Sequence, residues 1–129
     1  MNPRYIAETT KTPAQAVTDL EASVKQHGYG VLHTYDLKQT LASKGFDLPK
    51  ACHILEVCNP KQAAAVLTAD MSMNMALPCR ISVYEDGGKT VIGMVRPTLL
   101  LASLSESAEL KTIAEQVEKD TIAIIEAAK

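Results

Sequence analysis

The chain has 129 residues, of which 47% are hydrophobic and 22% are charged, so it can form one folded core and is not typical of a disordered protein. Its 13 basic and 15 acidic residues nearly balance without any run of like charges, a pattern that excludes an ordinary nucleic-acid binder. No segment approaches the roughly 20 apolar residues of a membrane span, and the N-terminal residues lack the apolar core of a secretion signal. We therefore predict a single cytoplasmic domain over residues 1–129, with its three cysteines reduced.

The first half of the chain alternates between apolar strands and capped helices. Residues 4–10 are predicted to form a strand, and the helix that follows begins at the cap Thr12 and stops near Gly28. A second strand is predicted over residues 29–35. The short helix after it ends near Gly45, so this half has the strand-then-helix order of a mixed fold.

The middle of the chain repeats this order. Phe46 and Leu48 follow the short helix and are expected to anchor it to the core. Residues 51–57 are predicted to form the third strand. Asn59 then caps a helix that runs to about Thr68, because the proline after it suits the first helical position.

The last part of the chain predicts a hairpin and a long helix. Residues 79–86 alternate apolar and polar side chains, and the turn Asp86-Gly87-Gly88 leads into a paired strand over residues 89–96. A helix with a continuous apolar stripe starts near Ser107. Together the elements predict an α+β two-layer sandwich, in which helices pack on one face of a mainly antiparallel sheet.

Several short motifs occur in an order that resembles a known family. Asn59-Pro60-Lys61 follows an apolar strand, and Leu77-Pro78, the run VYEDGGKT from Val83 and finally Pro97 come after it. Over about residues 29–104 this order resembles the bacterial and archaeal family described as domain of unknown function 302. The resemblance implies a compact α+β domain that is often found as a homodimer. It brings neither an established activity nor catalytic residues.

Residues 70–79, DMSMNMALPC, contain four sulfur-bearing side chains: Met71, Met73, Met75 and Cys79. Such ligands select Cu(I), so Cys79 with two of the methionines forms one candidate metal site. Methionine also fills cores in place of leucine or isoleucine, and similar family members carry aliphatic residues here. We predict that the methionines serve mainly in packing, with copper binding and a lid over a pocket as the alternatives.

Cys58 is the candidate reactive thiol. It precedes the helix cap Asn59, and the positive end of a helix stabilises a thiolate. Cys79 is expected nearby if the two strands are neighbours, and Cys52 shares the face of Cys58 if that strand is regular. The interpretation that we favour for Cys58 is a small buried residue at the end of a strand, and a nucleophilic thiol is the alternative.

Five polar residues are candidates for holding a small anion: Asn59, Lys61, Arg80, Tyr84 and Arg96. The strand residues among them are expected to converge on the uncovered face of the sheet, and Lys61 joins the free amides at the start of its helix. Scattered, solvated charges are the commoner explanation for such a set, and convergence on an anion is the sharper hypothesis.

The function that we favour is a non-catalytic small-ligand-binding or accessory domain that acts as a homodimer and binds a small anionic or thiol ligand. An open sheet face and the apolar stretch TLLLASL at residues 98–104 support the dimer. The alternative is a thiol-dependent sulfur or redox carrier, or an enzyme, that uses Cys58. No catalytic triad, glycine-rich nucleotide loop or zinc-finger spacing appears, so no cofactor is predicted and catalysis stays an open question.

Overall fold

A five-stranded antiparallel sheet with helices packed against it makes up residues 2–129, the part of the chain that the computed structural model describes. The strands are β1 (Arg4–Thr9), β2 (Gly30–Asp36), β3 (Cys52–Cys58), β4 (Cys79–Asp86) and β5 (Lys89–Val95). The α-helices are α1 (Pro13–Gln26), α2 (Leu37–Ser43), α3 (Pro60–Ala69), α4 (Pro97–Ala102) and α5 (Ala108–Ala128). A 3₁₀ helix spans Met71–Ala76. The predicted α+β fold is confirmed.

Cap side chains explain where four helices begin, and the two predicted caps Thr12 and Asn59 are among them. In each case the cap side chain accepts a hydrogen bond of 3.0–3.3 Å from the backbone N–H three residues later, which satisfies one of the free amides of the first turn. These caps are Thr12, Asp36, Asn59 and Ser107. None of the helices in residues 2–129 combines the length and the apolar composition needed to cross a bilayer.

The strands lie in the order β1-β5-β4-β3-β2, which places β4 at the centre of the sheet. The hairpin between β4 and β5 turns at Gly87 and Gly88, whose φ angles of 59° and 79° are positive as predicted. All the neighbouring strands are antiparallel. The N-terminal strand β1 therefore forms one edge of the sheet and pairs with β5.

Helices α1 and α5 cover one face of the sheet. Their side chains Leu20, Val24, Ile124 and Ile125 are fully buried and pack in one cluster with strand residues. The strand residues of that cluster include Leu55, Val57, Ile81, Val83 and Ile92. This cluster is the main core.

The other side of the sheet, here called the outer face, carries the alternate strand residues. One row crosses all five strands through Tyr35, Ile54, Ser82, Gly93 and Ile6. Ile54 is buried, whereas Ile6 at the edge of the sheet is exposed. The outer face is therefore partly apolar and partly open.

A second, smaller apolar cluster joins α3, the 3₁₀ helix, α4 and α5. Its buried members are Val66, Met73, Leu101, Leu110 and Ala114. The apolar stretch at residues 98–104 supplies α4, so one of its leucines packs here while Leu100 and Leu104 are exposed. Helix α5 contributes to both clusters and so connects the two parts of the fold.

The packing prediction for the methionines is confirmed for Met73 and wrong for the other two. Met73 is 2% exposed, whereas Met71 and Met75 are 67% and 79% exposed. A 3₁₀ helix has three residues per turn, so Met73 shares its side with Ala76 while Met71 and Met75 point elsewhere. Both Met73 and Ala76 pack in the second cluster.

The expectation that Phe46 anchors α2 to the core is also wrong. Its side chain is 68% exposed, and Leu48 is only partly buried. The backbone N–H of Phe46 donates to the carbonyl of Leu41 at 2.9 Å, while Gly45 adopts a φ of 88°. Phe46 therefore completes the C-terminal cap of the helix and contributes little to the core.

Truncating Met73 tests the second cluster. We expect Met73→Ala to lower the free energy of unfolding by about 2–5 kcal/mol, because it leaves a cavity among buried side chains. The matched control Met75→Ala removes an exposed side chain of the same helix and should change it by less than about 0.5 kcal/mol. Urea denaturation of both variants measures the difference, and equal effects would contradict this assignment.

Candidate functional site

A cavity of about 630 Å³ lies at the end of the sheet where β3 finishes and β4 begins. On the helix side it is bounded by apolar residues of α3, α4 and α5, including Val66, Leu101 and Val117. On the sheet side it reaches the outer-face residues Ile6 and Val95. The cavity therefore continues from the interior of the protein, past the strand ends, onto the outer face.

Gly93 shapes the sheet side of the cavity. A Cβ at this position would lie 3.3 Å from the carbonyl oxygen of Tyr5 and 3.5 Å from Cγ1 of Ile6, a tight fit. Gly93 pairs with Ser82 on β4 and with Ile6 on β1, so two small residues lie side by side in that row. This arrangement lets the strands approach closely and leaves room above them.

Tyr29 reaches the cavity from the loop after α1. Its backbone N–H donates to the carbonyl of Val24 at 3.0 Å, in a C-terminal cap that requires the positive φ of Gly28. Its hydroxyl donates to Oδ2 of Asp120 at 2.9 Å, and the other oxygen of Asp120 accepts from Nε2 of Gln116 at 2.8 Å. Burial, followed by the bond to Asp120, raises the pKa of Tyr29, so the phenol stays protonated.

Cys58 and Cys79 both line the cavity, and the prediction that they are close is confirmed by the pairing of β3 with β4. Val57 pairs with Cys79, which places Cys58 one residue further along the same end of the sheet. Burial, with a smaller contribution from Cys58, raises the pKa of the Cys79 thiol to about 11. Cys79 therefore remains a neutral, weakly nucleophilic thiol at neutral pH.

The five predicted ligand residues are divided in the structure. Asn59, Arg80 and Tyr84 line the cavity. Lys61 is exposed on the first turn of α3, where Pro60 has no N–H and the amide of Gln62 already donates to the side chain of Asn59. The start of α3 thus has few amides left for an anion.

Arg96 is occupied by contacts within the protein. Its Nη1 lies 3.4 Å from Oε2 of Glu118, and its Nε donates to the carbonyl of Asn2 at 3.0 Å. The guanidinium carbon also lies 5.5 Å from the centroid of the Tyr5 ring. These contacts fix the segment before β1, which is a structural role.

The possible metal ligands do not converge. Among residues 2–129, no group of three or more His, Cys, Asp or Glu side chains is arranged to hold a metal ion. Met71 and Met75 are exposed, whereas Cys79 packs against the main core. Copper binding by Met71, Met73, Met75 and Cys79 stays a prediction without support from this arrangement.

Among the lining residues that did not emerge from the sequence as candidates, Arg4, Tyr29 and Gly93 contribute most to the shape and charge of the cavity. An apolar or aromatic residue after a helix-stopping glycine is a signal of the C-terminal cap, and it marks Tyr29. A single glycine inside a strand signals a close backbone approach, and it marks Gly93. Arg4 had no local signal, because its position depends on the pairing of β1 with the distant β5.

Comparison with known proteins agrees with the α+β class of the fold. The family described as Domain of unknown function DUF302 matches residues 5–128, and the chain belongs to this family. The chain is similar to a solved structure, "Crystal structure of uncharacterized conserved protein DUF302 from Bacillus stearothermophilus", at 35% sequence identity and a TM-score of 0.93. The match covers 98% of each chain. No curated protein matches the chain.

Alkylation of the native protein tests the roles of the cysteines. We expect iodoacetamide at neutral pH to label Cys58 first, because it lies at the start of α3, and to label Cys79 slowly until the pH approaches the thiol pKa of about 11. Peptide mass spectrometry after timed labelling measures both rates and that of Cys52. In the control Cys79→Ala, labelling of Cys58 should be unchanged. If Cys52 or Cys79 is labelled before Cys58, the prediction that Cys58 is the most reactive cysteine is wrong.

Proposed function

We propose that the protein is a non-catalytic domain that binds a small, largely apolar ligand and acts as a homodimer. The observation that carries this proposal is the cavity of about 630 Å³ at the end of the sheet. Binding sites for small molecules in proteins are typically concave, about 300–1,000 Å³ in volume, and mostly apolar with a few polar groups. The size and lining of this cavity agree with that description.

The polar groups inside the cavity support an apolar ligand. The hydroxyl of Tyr29 donates a hydrogen bond to the carboxylate of Asp120, and the hydroxyl of Thr121 donates to the carbonyl of Val117 at 2.9 Å. Among the described residues, no buried side-chain nitrogen or oxygen lacks a hydrogen-bond partner. A ligand that enters the interior therefore gains from burying apolar surface and needs to supply no polar group there.

Exposed apolar residues on the outer face support the homodimer. Ile6 and Val95 lie on neighbouring strands at the open side of the cavity, and Leu32 lines the cavity as well. Apolar surface grouped in this way is typical of a face that a partner covers. A second copy over part of the outer face would bury these side chains and narrow the opening of the cavity on that side.

The second candidate function is a thiol-dependent sulfur or redox carrier. One observation favours it: Cys58 lines the cavity, where a bound ligand would meet its sulfur. Cys52, Cys58 and Cys79 are all free cysteines, which agrees with the reducing cytoplasm that we propose as the compartment. The two functions differ in what Cys58→Ser does, since a carrier loses its function and a binding domain keeps its ligand.

Filling the cavity tests ligand binding. We expect the neutral fluorophore N-phenyl-1-naphthylamine to bind the wild type saturably, and Ala63→Trp to weaken it by about tenfold or more, or 1.4 kcal/mol, because Ala63 lines the cavity. The matched control Ala64→Trp changes an exposed neighbour on the same helix and should bind as the wild type does. Fluorescence titration measures the affinities, and a wild type without saturable binding would overturn the proposal.

Sedimentation velocity at micromolar concentration tests the dimer. We expect the wild type to sediment as a dimer and Ile6→Asp to sediment as a monomer, because a buried unpaired carboxylate at the interface is costly. Phe46→Asp is the control, since it places the same charge on an exposed apolar residue of the loop after α2. A wild type that remains a monomer would refute the proposed assembly.

A further inference from the structure

We propose that the ligand of this cavity is an amphipathic anion, an alkyl chain that ends in a carboxylate or phosphate head group. The inference rests on the proposed function and adds the chemical class of the ligand. Arg4 and Arg80 would bind the head group on the outer face. The chain would extend past the strand ends into the apolar interior.

The charge of the cavity is the first reason. The charged side chains that line it are Arg4 and Arg80, and both carry the same sign. The whole chain has 15 acidic residues and a net charge of −2, yet the described cavity lining includes none of those carboxylates. The cavity is therefore locally positive in a slightly acidic protein, which favours a ligand with a negative group.

The sheet register brings the two arginines to the same place. Arg4 on β1 pairs with Val95 on β5. Ser82 on β4 pairs with Gly93, which lies two residues before Val95 on β5. Continuing that register by two residues sets Arg80 opposite Val95. Arg4 and Arg80 thus flank Val95 on the outer face, two strand spacings or about 10 Å apart. Long, flexible arginine side chains can converge on one oxyanion from these positions, and their guanidinium groups suit carboxylate and phosphate geometry.

Both arginines are available to a ligand. The ion pairs within residues 2–129 use Lys11, Lys89, Arg96 and Lys129. Arg4 and Arg80 are exposed, so neither has the enclosed pairing with Glu118 that occupies Arg96. Glu56 pairs with Arg80 in the register, but none of the ion pairs within residues 2–129 joins them, and the Glu56 carboxylate instead accepts a hydrogen bond from the hydroxyl of Tyr35 at 2.8 Å.

The remainder of the cavity suits an alkyl chain. From the arginines it continues past the strand ends at Cys58 and Cys79 toward Val66 and Leu101 between the helices. On the outer face it also extends over the small residues Ser82 and Gly93. The fully buried polar side-chain atoms inside are already paired, so this inner part offers mainly apolar contact. One end of the cavity therefore favours an anion and the other favours hydrocarbon, which is the division within an amphipathic anion.

Competition against the neutral fluorophore on the full chain tests the inference. Decanoate and decyl phosphate carry the proposed head groups, 1-decanol has the chain alone, acetate has the head alone, and decyltrimethylammonium has the opposite charge. We expect at least one of the two anions to compete about tenfold more strongly than 1-decanol, a difference of 1.4 kcal/mol, and acetate to have no effect. The advantage should shrink as salt is added, because exposed charges are screened.

Substitution of the arginines locates the head group. Arg4→Gln and Arg80→Gln should each weaken the better anion by about fivefold to tenfold and leave 1-decanol unchanged. Lys25→Gln removes an exposed cation from α1 and is the matched control, with no effect on either ligand. Because both arginines are exposed, the variants should fold, and their circular dichroism checks this.

The outcomes separate this inference from the proposed function. If 1-decanol competes as well as both anions, or if the arginine variants bind the anions as the wild type does, the anionic class is wrong and the apolar cavity remains. If decyltrimethylammonium competes best, the charge argument is overturned. If neither the fluorophore nor any alkyl compound binds, the proposed function and this inference fail together.

Discussion

The burial of the apolar stripe of α5 is the constraint on which the rest of the structure depends. Ile124 and Ile125 pack in the main core, while Leu110 and Ala114 pack with α3 and α4 in the second cluster. One rigid helix thereby fixes the distance between the two clusters. The cavity occupies the space between them, and Val117, from the middle of α5, forms part of its wall.

The polar side of α5 positions the elements around this cavity. Asp120 holds the hydroxyl of Tyr29, and Glu118 accepts hydrogen bonds from both the backbone and the hydroxyl of Thr98, at 3.1 Å and 2.7 Å. The same carboxylate pairs with Arg96. These contacts attach the loop before β2 and the start of α4 to one helix, so the wall of the cavity is set by hydrogen bonds as well as by packing.

The parts of the fold that depend on neighbouring residues could be predicted from the sequence, and those that depend on distant pairing could not. Helix caps and the glycine turn obey local rules, so Thr12, Asn59 and Gly87 have the expected conformations. The methionine segment was ambiguous, because its helix type decides which side chain is buried, and a run of alternating methionines does not specify that type.

The same division holds for the candidate site: contacts between consecutive elements could be predicted from the sequence, and contacts between distant elements could not. Cys58 and Cys79 were expected to be neighbours because their strands follow one another along the chain, and β3 indeed pairs with β4. Arg96 has the charge expected of a residue that binds an anion. Its contacts with Glu118 and with the N-terminal segment are tertiary contacts, which a sequence pattern does not show. Arg4 was missed because only the closure of β1 onto β5 brings it to the cavity.

Because Arg4 depends on the pairing of β1 with β5, its side of the cavity is less stable than the side formed by Arg80 on the central strand. β1 is an edge strand whose pairing with β5 joins residues far apart along the chain, so it belongs among the contacts with the greatest loop-closure cost. Beyond the β5 ladder, it is held by Ala7 in the main core, by the contacts of Arg96 with the segment before it, and by a 2.6 Å bond from the hydroxyl of Tyr5 to Glu126. The pair of Lys89 with Glu8 is exposed and adds little. Local opening of this edge would withdraw Arg4 and leave Arg80 in the central strand, so hydrogen exchange in β1 reports on the assembly of the rim separately from the stability of the core.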